Sequence, residues 1–82
     1  MPHVDYEVAS QTIGQLIAHQ VAVIAQEEMK REPDVARATT AEAERKALVA
    51  ARDALQPDDA PAIATALALY GPRARQLNAD LA

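Results

Sequence analysis

Few side chains in this sequence could do chemistry, and their spacing decides what they are worth. Histidine occurs twice, at His3 and His19, serine once, at Ser10, and cysteine not at all. His19 with Glu27 and Glu28 has the residue types of a carboxylate-assisted metal site. A ferritin-type site, however, needs Glu-x-x-His repeated on separate helices, and that spacing is absent. His19 therefore reads as a boundary side chain or an interface hydrogen-bonder, and His3 as an inert terminal residue. The doublets Glu27–Glu28 and Asp58–Asp59 are paired carboxylates only along the chain. Neighbouring helical residues point about 100° apart, so Glu27 and Glu28 do not converge, and helix capping is sufficient reason for Asp58–Asp59. With glycine only at Gly14 and Gly71, no phosphate-cradling loop exists. The expectation is a chain without catalytic group, metal or cofactor.

"PRARQL" places Arg73 and Arg75 close together. They read as a basic spot for an acidic surface, or as two solvated arginines. Tyr70, just before, has the residue type of an interface anchor, or of a cover over the core with its hydroxyl in water.

The elements that must position these groups are helices. Alanine supplies 20 of the 82 residues, and the other strong helix formers Leu, Glu, Gln, Arg and Lys supply 27 more. No window alternates as a strand would. The first helix is expected over about 5–31, with Asp5 and Glu7 at its start and Lys30 and Arg31 at its end. Gly14 is a soft spot in it, costing about 1 kcal/mol against alanine and allowing a bend or a close helix contact. Thr39 and Glu42, at capping-box spacing, open a second helix over about 40–56. Glu42 and Lys46 on its charged face form an i, i+4 pair. After "QPDDAP" a third helix spans about 60–70, with Pro61 tolerated in its first turn. Pro72 is expected to end or kink it at Gly71, leaving a tail helix over 72–81. Short connections make successive helices antiparallel. The fold class is thus all-α: one domain, a three-helix antiparallel bundle with a long first helix and a short, kinked C-terminal tail helix.

Packing leaves one feature unabsorbed. "GQLIAHQVAVIAQEE" carries Leu16, Ile17, Val21, Val23 and Ile24 over too much of the helix circumference for narrow, alanine-rich neighbours to cover. Ile17, Val21 and Ile24 form one ridge; Leu16 and Val23 form another, about 100° away. One ridge is expected to face the chain's own helices, the other a second chain, and the pattern does not say which. The candidate partner-binding residues are therefore Leu16, Ile17, Gln20, Val21, Val23, Ile24, Tyr70, Arg73 and Arg75.

A net charge of −4 and a pI near 4.9 disfavour a nucleic-acid partner. The opening "MPHVDYEVAS" lacks the basic and apolar regions of a signal peptide, and no apolar run is long enough to span a bilayer. A cytoplasmic setting without membrane contact is expected, and the lack of cysteine fits it. A small acidic chain with a long first helix, a capped second and a third ending "ALALYGPRARQLNADL" resembles the helical antidotes of toxin–antitoxin pairs. More distantly it is similar to small chaperones that neutralise a kinase-like effector, of the epsilon–zeta sort. The antidote motif of Fic-type toxins, a Ser or Thr followed four residues on by Glu and then Gly or Asn, is absent. The resemblance implies a protein partner, a toxin or effector encoded nearby, masked through the first helix. The alternative is a homodimer or larger homo-oligomer with a structural or scaffold role.

Overall fold

The computed structural model describes the backbone of residues 4–81 and the side chains of 4–80; His3 and the Leu81 side chain lie outside that range. Three helices make up the fold: α1 (Val4–Glu28), α2 (Val35–Ala54) and α3 (Ala60–Leu81). They form an all-α bundle of 51 × 27 × 16 Å. α1, about 37 Å long at 1.5 Å per residue, packs against both other helices, whereas no Cα of α2 comes within 8 Å of one in α3. α2 runs antiparallel to α1, bringing Arg37 to Glu27 and Arg52 to the α1 segment around Gly14. α3 returns parallel to α1, so that Ile63 and Leu67 share a cleft with Tyr6, and Leu77 one with Leu16.

One apolar cluster runs through all three elements. α1 supplies Ala9, Ile13 and Leu16; Leu48 and Leu55 come from α2 and its end; Ile63, Ala66 and Ala74 come from α3. The α1 members are spaced by four and three residues, the stripe of a helix that buries one face. Ala66 and Ala74 keep α3 close to α1 but cover little area. Tyr6, Ile17, Leu67, Tyr70 and Leu77 pack around the edge, half-buried.

Three element boundaries differ from those expected, each for a local reason. α1 stops at Glu28 rather than Arg31 because the Glu27 carboxylate gathers the following chain around itself. It accepts from Lys30 Nζ at 2.6 Å, from the Asp34 backbone N–H at 2.8 Å and from the Arg37 guanidinium. Lys30 thus folds back on α1 instead of extending it. α2 begins at Val35, four residues before the Thr39–Glu42 box. Asp34 is its N-cap, in extended conformation, with its side chain accepting from Arg37 N–H at 3.0 Å. Glu42, already mid-helix, accepts twice from Arg45, at 2.8 and 2.6 Å, in place of the expected pair with Lys46. Finally, 72–81 is no separate tail helix: α3 continues through Pro72. The proline lacks the N–H that would bond the Ala68 carbonyl, but it is exposed, so water can serve that carbonyl. Beyond it, buried Ala74 and half-buried Leu77 prolong the line of Ile63, Ala66 and Tyr70 against α1 and hold the helix in register. At the head of α3, Asp59 is the cap, accepting from Ala62 N–H at 3.1 Å.

Candidate partner-binding face

α1 carries two adjacent ridges, and the fold buries one of them more deeply than the other. The inner one is Ala9, Ile13, Leu16, Val23 and Glu27, all buried, with half-buried Gln20 completing the alternation of fours and threes. Leu16 and Val23 are only 5% and 7% exposed. They are occupied by the chain's own packing and drop out as partner contacts. Shifted by one residue, and so by about 100°, lies the second ridge. Val21 at its middle is 49% exposed; Ile17 and Ile24, flanking it, are half-buried. Gly14 continues this line one turn toward the N-terminus.

The α3 residues expected to join such a face do not reach it. On α1, the side chains that share a cleft with the end of α3 are Leu16, His19 and Gln20, and Val21 points about 200° from His19. Tyr70 packs on the core edge and covers it. Arg73 lies 5.6 Å from the Tyr70 ring centroid and pairs with Glu44 of α2. Its charge therefore ties α3 to α2, which otherwise lack close backbone contact. Arg75 is exposed and makes no ion pair among the described residues. Gln20 lies between the two flanks of α1 and lines clefts with both α2 and α3.

The most polar constellation in the fold escaped the sequence reading. Glu27 is fully buried at the α1–α2 elbow, and hydrogen bonds from Lys30, from the Asp34 backbone and from Arg37, in that order of effect, lower its pKa to about 2. A carboxylate held ionised with its lone pairs occupied is an anchor for the elbow, not an acid or base at neutral pH. Its signal was in the spacing: 27 falls on the inner ridge, four residues after Val23. Glu28 is exposed, so the doublet does not converge. Glu42 is likewise lowered, chiefly by its hydrogen bond to Arg45. His19 is exposed, and among the described residues no three His, Asp or Glu side chains are grouped to hold a metal.

A shallow hollow opens where the outer ridge nears the N-terminal end of α1. Ser10 and Glu7 line it from α1, and Arg52 and Asp53 from α2. Ser10 Oγ is buried there without a hydrogen-bond partner, although Thr12 and Thr65 in comparable helical positions donate to the carbonyl four residues back. Arg52 has no ion pair among the described residues. Compared with known proteins, the chain matches no family model, no curated protein and no solved structure.

Proposed function

We propose that this chain is a non-catalytic protein-binding module that docks a partner protein on the outer ridge of α1, in the manner of an antitoxin or dedicated chaperone. The supporting observation is the ridge of Ile17, Val21 and Ile24. Its central residue, Val21, is 49% exposed, and Ile17 and Ile24 on either side of it are only half-buried. Covering such a ridge removes apolar surface from water, at roughly 25 cal/mol per Å². Three sets of ion pairs hold the fold together: Glu27 at the elbow, Glu42 with Arg45, and Arg73 with Glu44. No helix among the described residues is long and apolar enough to cross a membrane, and the cysteine-free sequence suits a reducing cytoplasm.

Co-expression with the product of the adjacent gene, followed by co-purification, tests the reading. Capture that is lost in Val21→Asp and kept in Arg75→Ala is the expected result. Capture indifferent to Val21 would refute the ridge as the docking face. A homo-oligomeric scaffold that buries the same ridge against its own copy is the second reading.

A further inference from the structure

The outer ridge extends beyond its three aliphatic residues. Ser10, Gly14, Ile17, Val21, Ile24 and Glu28 follow one another at intervals of four, three, four, three and four. That is the 3.5-residue repeat of a helix–helix seam, and it lies alongside the inner seam that the chain uses for its own packing. Gly14 sits in this outer seam without an internal reason. A Cβ added there would meet only Arg52 Nη1, at the ordinary distance of 4.0 Å, while glycine weakens a helix interior relative to alanine. A gap on an outer seam suits close approach by another helix.

We infer that the resting occupant of this face is a second copy of the same chain, its α1 laid antiparallel across the outer seam about a twofold axis near the level of residue 19. This rests on the reading of the outer ridge as a docking surface and specifies what fills it. In this register Ile17 meets Val21 of the second copy, and Ile24 enters the gap at Gly14, large against small. Glu28 arrives opposite Ser10, in the hollow where Arg52 stands without an ion pair. The twofold repeats each contact, so both ends of the seam are closed by opposite charges and the middle is apolar. A parallel arrangement would instead set Glu28 against Glu28 and Gly14 against Gly14.

Because the chain has no cysteine, the register is open to disulfide trapping. Ser10→Cys and Glu28→Cys variants are prepared separately, mixed and oxidised. The expected product is the mixed disulfide, since like positions lie about 27 Å apart in the antiparallel pair and bridging needs Cα atoms within about 7 Å. Sedimentation of the unmodified chain should show a monomer–dimer equilibrium. Gly14→Leu should remain helical and become monomeric. Glu28→Arg and Arg52→Glu should each weaken association about tenfold or more, and the two together in one chain should restore it. A monomer at every concentration, homodisulfides at 10 or 28 in place of the mixed product, or failure of the charge exchange to restore association would overturn the inference. If the chain is monomeric while capture of a co-expressed partner still depends on Val21, the self-pairing falls and the docking face stands. If association and capture both ignore Gly14 and Val21, the two fall together.

Discussion

Truncating the two ridges of α1 should separate them by stability alone. Leu16→Ala removes three carbons from a side chain only 5% exposed. At about 0.8 kcal/mol per buried methylene that is roughly 2.4 kcal/mol of transfer energy, and the cavity left behind brings the cost to about 3 kcal/mol. Val21→Ala removes two carbons from a side chain 49% exposed, so the same arithmetic gives about 0.8 kcal/mol. For a domain of this size each kcal/mol moves Tm by about 4 to 8 °C. Leu16→Ala should therefore melt about 12 to 24 °C below the parent chain, and Val21→Ala about 3 to 6 °C below it. Thermal and urea unfolding followed by circular dichroism measure both, in one buffer and at a concentration low enough that every variant and the parent are monomeric. Where Leu16→Ala proves too unstable to give a baseline, Leu16→Val serves in its place, with a smaller loss. Equal losses at the two positions, or a larger one at Val21, would refute the assignment of inner and outer ridges.

Three further outcomes follow from the polar contacts and the helix ends. Glu27 has a pKa of about 2 when folded against 4.5 as the ordinary value, so its contribution to stability is complete above about pH 4.5 and lost as pH falls toward 2. Between those pH values unfolding should take up most of a proton on this group; Glu27→Gln should remove that uptake, while Glu42, also lowered, adds to the total. Asp34→Ala should cost about 1 kcal/mol in urea unfolding through loss of the N-cap, whereas Thr39→Ala, inside α2, should be within about 0.5 kcal/mol of neutral. Pro72→Ala should raise stability by about 1 to 3 kcal/mol, because it returns a helical N–H to the Ala68 carbonyl; a loss on calorimetry would show that α3 needs the proline.

The helical type of the elements and the two breaks between α1, α2 and α3 were legible because the helix-forming composition and the prolines Pro33 and Pro57 agree with one another. Boundaries were harder where two local signals competed. Asp34 and Thr39 both have the chemistry of a cap, and Asp34 prevails because the buried Glu27 carboxylate already fixes its backbone N–H. Pro72 looked like a stop, yet Ala74 and Leu77 find burial against α1 only if the helix continues. The two ridges could not be ranked by hydrophobicity, since Leu16 with Val23 and Ile17 with Ile24 are equally apolar. What distinguishes them is the extension of each line. Ala9 and Ile13 prolong the Leu16 ridge into the core, while Ser10 and Gly14 prolong the other into a gap. Glu27 stayed hidden because its cationic partners come from the turn and from α2, three and ten residues away.

The outer ridge of α1 as a docking face is most directly tested by placing one charge on it. Val21→Asp should keep the parent's helical signal, since Val21 is 49% exposed, and should lose association, both with itself in sedimentation and with a co-expressed partner in capture. Unchanged association in Val21→Asp would contradict the docking face, and so would loss of helicity equal to that of Leu16→Asp.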